Sequence, residues 1–182
     1  MDSTRRHWIL GSMGSTAFAA LASAHEHAQR AMKAATPVQF EFFDARQAAD
    51  IAAIAAQILP SEDGPGAEEA GVIYFIDRAL KTFATDKQDA YQRGMAEVQN
   101  VRIKMFPSSA SIAALSKQQQ FELVRAVETS DFFELVRTHT VMGFLGDPSY
   151  GGNRGQVGWQ YVHFEDRVAW QPPFGYYDAE AK

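Results

Sequence analysis

No cysteine occurs among the 182 residues. This removes disulfides, cysteine-ligated zinc, iron–sulfur clusters, thiol catalysis and covalent c-type haem attachment from the chain. Other catalytic hardware is missing as well. There is no Gly-x-Ser-x-Gly elbow to carry a nucleophile. No Gly-x-Gly-x-x-Gly follows a strand, so neither flavin nor nicotinamide has a visible cradle. No Glu-x-x-His pairs mark a carboxylate metal site inside a bundle. Positive charge is short: 17 Lys and Arg against 22 Asp and Glu leave a net charge of −5. That balance disfavours a general binder of nucleic acid or of an anionic membrane. Strand alternation and internal repeats are absent too. The expectation from these absences is an all-α chain that catalyses nothing by itself, with any redox centre on a partner.

What is present is apolar and helical. Hydrophobic residues make up 46% of the chain and 22 residues are aromatic, enough for one domain with a sizeable core. Residues 25–43 read as a linker or N-terminal arm, whose apolar cluster Val38, Phe40, Phe42 and Phe43 pins it to that core. The spacing then predicts about five helices over 44–145. Asp44 caps the first, with Ile51, Ile54 and Ile58 at helical spacing and Pro60 as its stop. The second covers 67–83, with Val72, Phe75, Ile76, Ala79, Leu80 and Phe83 on one face. The third covers 87–105 and carries Tyr91, Met95, Val98 and Met105, the methionines as core filler. Ser116 caps a fourth, in which Phe121, Val124 and Val127 share a face. Ser130 or Asp131 caps a fifth, with Phe132, Leu135, Val136, His139 and Phe144 inward. His139, alone on an apolar face, reads as a core histidine bonded to a backbone group. The turn 60–66 carries two acids without the bidentate glutamate of a calcium loop, so it reads as a solvated turn.

Residues 146–182 read as a glycine-rich loop and a long irregular tail of the same domain. Nine of the 22 aromatics fall between 144 and 177, and Pro172-Pro173 argues against helix there. Aromatics in such a segment bury against the bundle or against a partner. At the other end, residues 1–24 read as an export signal. Arg5-Arg6 precedes a weakly apolar run from Ile9 to Leu21, and Ala22-Ser23-Ala24 offers small residues for a signal peptidase. The run is too short to span about 30 Å of hydrocarbon comfortably. The order is similar to a twin-arginine signal, which exports folded proteins. Cleavage after Ala24 would leave His25-Glu26-His27 at the terminus, a copper-chelating sequence for which a solvated tail is the plainer reading.

The densest stretch is Gly146 to Trp159, in which five of fourteen residues are glycine. Asp147-Pro148-Ser149-Tyr150-Gly151-Gly152-Asn153-Arg154, followed by Val157-Gly158-Trp159, resembles the motif of the gluconate 2-dehydrogenase subunit 3 family. Three further blocks follow the family's order: Ile58 to Ala67, Gly71 to Asp77 and Phe132 to Thr140. The similarity spans about residues 40–160. It implies a small subunit of a membrane-associated, flavin-dependent sugar or polyol dehydrogenase. The implied partners are a large FAD-bearing subunit of the glucose–methanol–choline type and, commonly, a cytochrome subunit carrying haem c. The resemblance also implies an escort that takes the folded flavoprotein through the twin-arginine translocase and stays bound to it. Its place would be the periplasm, at the outer face of the inner membrane. It confers no catalytic role on Tyr150, Asn153, Arg154 or Trp159.

Interfaces concentrate their energy in a few aromatic and arginine anchors, and glycines let backbone press close. The candidate partner-binding residues are therefore Tyr150, Gly151, Gly152, Asn153, Arg154, Trp159 and Trp170. Arg5 and Arg6 are the candidate export residues. Two alternatives stay open from the residues: Trp159 closes this domain's own core, or the chain is a free-standing exported scaffold or an enzyme with an unfamiliar site.

Overall fold

Asp44 starts the first helix as its side chain dictates. The computed structural model describes residues 39–167. In it α1, Ala45–Ile58, opens with a capping box: the Asp44 carboxylate accepts from the Gln47 N–H, and the Gln47 side chain accepts from the Asp44 N–H. It ends before Pro60, because the residue preceding a proline is pushed out of the helical region. Ser116 caps α4, Lys117–Val127, with a second capping box through Gln119, and Ser130 caps α5, Asp131–Leu145, by accepting from the Phe133 N–H alone. Helix α2 spans Val72–Lys81 and α3 Gln88–Met105, the latter entered through a 3-10 turn at Thr85–Lys87. No strand occurs among the described residues. The fold is all-α.

Helix α2 packs on α5, and α1 lies against both and against α4. Ile51, Ile76, Leu80, Tyr91, Leu123 and Val136 are fully buried where they meet. Gly94 lets α3 approach α5 closely, since a Cβ there would sit 2.1 Å from Cγ of Phe132. His139 is a core histidine as expected, but its partner is a side chain. Its Nδ1 lies 2.9 Å from the Tyr91 hydroxyl, with the two rings stacked at 14°. Burial pushes the His139 pKa below its ordinary value, with Lys87 adding to the effect, and burial raises that of Tyr91. Both shifts favour the neutral form.

Two buried acids were not expected. Asp77 holds the N-terminal arm: its carboxylate accepts the N–H groups of Glu41, Phe42 and Phe43 at 2.8–3.0 Å. Phe43 is buried and Phe40 and Phe42 half-buried beside it, while Val38 lies outside the described residues. Asp50 holds the connector before α4 by accepting from Gln99 Nε2 at 2.6 Å and the Ala113 N–H at 2.8 Å.

Several expectations need correction. Helix α2 starts at 72, not 67, because Gly71 takes a left-handed conformation (φ 64°) and Ala67–Gly71 form turns. It ends before Phe83, which is exposed, as are Met105 and Phe121. In α4 the buried face is Gln120, Leu123 and Val124. From 146 onward the chain is not irregular throughout. It makes 3-10 turns at Pro148–Tyr150 and Arg154–Gln156 and a short helix α6, Val157–Tyr161. Arg5, Arg6, the His25–His27 segment and Trp170 lie outside the described residues.

Candidate interaction surface at the end of helix α5

A helix leaves its last carbonyls without intrahelical partners. In α5 these are supplied by the loop that follows. The Gly143 carbonyl accepts from the Asn153 N–H at 2.7 Å, the Leu145 carbonyl from the Trp159 indole at 2.6 Å and the Gly146 carbonyl from Asn153 Nδ2 at 3.0 Å. The glycine loop is thus an extended cap folded back over the helix end.

Its special residues follow from that closeness. Gly151 reverses the chain at φ 102°. Gly152 lies against α5, where a Cβ would stand 2.2 Å from the Gly143 oxygen, and Gly158 lies against the Phe144 oxygen at 1.9 Å. Neither position admits a side chain. Asn153 takes a left-handed conformation (φ 43°), which asparagine tolerates better than most residues. Its Oδ1 accepts the Gly158 N–H at 2.9 Å, and it is 0% exposed. Asp147 caps the first turn by accepting from the Ser149 N–H. Hydrogen bonds from Ser149 hold its carboxyl below the usual pKa.

Arg154 ties this cap to the start of α2. Its N–H donates to the Ala70 carbonyl at 3.0 Å, and its Nε donates to the Gly151 carbonyl at 3.3 Å. Its guanidinium carbon lies 3.5 Å from the centroid of the Tyr74 ring, a cation–π contact. The Arg154 stem fills the space over Gly71, where a Cβ would lie 2.5 Å from Cδ. Arg78 Nη1 reaches the Ser149 carbonyl at 2.9 Å, and the Tyr161 ring covers Gly64. The sequence blocks around 58–67, 71–77 and 147–159 therefore meet around the end of α5, while 132–140 forms the body of that helix and reaches 71–77 through the Phe75–His139 ring contact.

The sequence-predicted residues divide once placed. Gly152 and Asn153 are buried and act within the chain, so they offer a partner no surface. Gly151, Arg154 and Trp159 are half-buried. Trp159 neither plugs the core nor stands free: it caps α5 and packs on Phe164 with ring centroids 5.1 Å apart. Tyr150 is 50% exposed, edge-on to the exposed Phe83 at 5.8 Å. Around them Val141, Met142 and Leu145 on the outer face of α5, and Tyr161, Val162 and Phe164 beyond the cap, are all exposed. The sequence reading missed Phe83, Met142 and Leu145. The signal for the latter two lay in helical phase: 141, 142 and 145 fall opposite the core positions 136, 139, 140 and 143. A helix end apolar on both faces calls for cover on both.

The surface offers apolar area, aromatic edges and one partly exposed guanidinium. Among the described residues no three His, Asp or Glu side chains gather as a metal site. No described helix is long and apolar enough to cross a membrane.

Residues 45–165, the span that builds the bundle and its cap, match the family described as gluconate 2-dehydrogenase subunit 3. The chain belongs to that family. It is an accessory subunit of a dehydrogenase complex and associates with the complex's other subunits. No curated protein and no solved structure gives a match. In this gluconate 2-dehydrogenase subunit 3 family member, the motif glycines and Asn153 shape backbone, and apolar side chains around them stay exposed.

Proposed function

We propose that this subunit binds the large FAD-bearing dehydrogenase subunit through the apolar surface at the end of α5, carries it in folded form through the twin-arginine route and stays bound in the periplasm. A cytochrome subunit with haem c would complete the assembly. The observation that carries the reading is the cluster of exposed Phe83, Tyr150, Met142, Leu145, Tyr161 and Phe164 around a rigid cap. Interface cores are enriched in such aromatic and methionine side chains. A second support is the Arg5-Arg6 pair ahead of a weakly apolar run. The flavin, the substrate and the chemistry belong to the partner on this reading, and the small subunit supplies binding and address.

The test is co-expression with the flavoprotein. Arg5→Lys with Arg6→Lys keeps the charge but removes the paired guanidinium groups. Both proteins should then remain cytoplasmic and still co-purify. Normal periplasmic flavoprotein activity in that variant would contradict the escort role.

A further inference from the structure

Helix α2 turns one side toward the surface: the half-buried Tyr74 and the exposed Arg78 and Lys81 recur at helical spacing. Arg154 lies over Tyr74, and the exposed Phe83 and Tyr150 flank the same edge of the cap. We propose, resting on the subunit contact given above, that this edge receives an acidic segment of the FAD-bearing subunit, with one of its side-chain carboxylates seated on the Arg154 guanidinium.

The chain leaves these cations without acids of its own. Asp77 is the only acid in α2, and both its oxygens are taken by N–H groups of the N-terminal arm. Asp147 accepts from the Ser149 N–H, and Glu69 from the Ser61 hydroxyl and the Gly66 N–H. Among the described residues the ion pairs lie elsewhere: Asp86 with Lys87, Glu134 with Arg137 and Glu165 with Arg167. Arg78 spends Nη1 on the Ser149 carbonyl at 2.9 Å, a neutral acceptor. Cations in the last turn of a helix also complement its dipole. That role is internal to α2 and indifferent to a partner, so measurements of affinity separate the two.

Arg154 is held ready. Its Nε donates to the Gly151 carbonyl at 3.3 Å, and its guanidinium carbon lies 3.5 Å from the Tyr74 ring centroid. Phe40 stacks on that ring too, with centroids 5.3 Å apart and planes at 13°. A phenyl ring and a guanidinium cannot share one face of a tyrosine at these distances. Tyr74 is therefore sandwiched between the arm and Arg154, which sets the plane of the guanidinium. Nη1 and Nη2 have no partner among the described residues. Neither is enclosed, since the only enclosed side-chain nitrogen or oxygen without a partner there is Thr140 Oγ1. Both therefore meet solvent. A planar fork with two open donors takes a carboxylate through two parallel bonds. Because the side chain is already fixed, little rotamer freedom is lost on binding. A net charge of −5 opposes attraction of the whole chain to an anionic bilayer, which favours a protein carboxylate over a lipid headgroup.

The test is the affinity of the full chain for the flavoprotein. Arg154→Gln should weaken it at least about tenfold, and Arg154→Lys, which keeps the charge and loses the fork, by less. Arg78→Gln with Lys81→Gln, both at exposed positions, should leave melting unchanged and flatten the salt dependence of binding. This pair carries the test by itself where Arg154→Gln lowers the melting temperature. In the Arg154→Lys variant a carbodiimide, which condenses an amine with a carboxylate to an amide, should join position 154 to an Asp or Glu of the flavoprotein. Wild-type affinity or salt dependence in the folded variants, or a complex that forms without that cross-link, would overturn the proposal. So would binding to anionic vesicles that the Arg78→Gln, Lys81→Gln pair abolishes, which would assign the cations to lipid. If Leu145→Glu with Tyr150→Ala weakens binding and the cation variants do not, the subunit contact stands and only the carboxylate seat falls. No binding by the wild type would overturn both.

Discussion

The bundle and its cap are held together by different means. Across α1–α5 the order comes from apolar side chains: Ile51, Ile76, Leu80, Tyr91, Leu123 and Val136 are fully enclosed, and the helix starts are fixed by local polar caps at Asp44, Ser116 and Ser130. From Gly146 to Trp159 the order comes from hydrogen bonds to main chain, with carbonyls at the end of α5 answered by the Asn153 N–H and by the Asn153 and Trp159 side chains, and glycines admitting the close approach. A segment built this way needs few of its side chains for its own folding. Phe83, Tyr150, Tyr161 and Phe164 are left outward, as are the last apolar residues of α5. The contrast separates two things a motif can encode: shape, in Gly152, Asn153 and Gly158, and contact, in the apolar residues around them.

The sharpest way to break that contrast is to put a side chain where backbone touches backbone. Gly158→Val would drive its Cβ into the Phe144 carbonyl, and the loop cannot yield without giving up the Asn153 bonds. A loss of about 3 kcal/mol or more is expected in denaturant unfolding of the lone chain. Asn153→Ala should come next, at about 2–4 kcal/mol. It strands the Gly146 carbonyl and the Gly158 N–H and forces alanine into a left-handed conformation. Asn153→Gly relieves the conformational part, so it should recover about 1 kcal/mol of that loss. Equal losses for alanine and glycine would mean that the side-chain bonds alone hold the cap.

Smaller effects are expected in the Tyr91–His139 pair of the core. Tyr91→Phe leaves His139 Nδ1 without its partner and should cost about 1–3 kcal/mol. The pair also sets a pH dependence. Burial lowers the folded-state pKa of His139 below its unfolded value near 6.5, so the unfolded chain takes up its proton first. Stability from this group is complete above about pH 6.5 and is lost as pH falls through the folded-state pKa. Burial opposes protonation of His139 most, the neighbouring Lys87 opposes it too, and Asp86 favours it. Melting followed from pH 7.5 to 5 should fall more steeply in the wild type than in His139→Phe.

Much of the bundle was legible because its signals are local. Asp44, Ser116 and Ser130 begin helices through bonds to residues three positions on, and Pro60 ends one through its own ring. The start of α2 was not legible, because Gly71 is held in its left-handed turn under the Arg154 stem, far along the chain. Phe83 and Phe121 carried apolar weight in the periodicity, but a broad helical stripe does not say which edge residue turns outward. Asp50 and Asp77 left a faint trace as acids at core-phased positions, yet their partners lie on distant segments: three backbone N–H groups for Asp77, and the Ala113 N–H with the Gln99 side-chain amide for Asp50. At the cap, composition marked the place. Which residues face inward depends on the unpaired carbonyls of α5, and those appear only when the chain folds back.

The account rests on the claim that the outer face of α5 and Tyr150 serve contact while the cap beneath serves shape. Leu145→Glu with Tyr150→Ala tests it, read out as both the stability of the lone chain and its affinity for the flavoprotein. Both residues are exposed, so stability should stay within about 0.5 kcal/mol of wild type. Affinity should fall by about 2 kcal/mol or more, which is at least about thirtyfold. Unfolding of the lone chain, or full retention of flavoprotein affinity in a folded double variant, would contradict the claim.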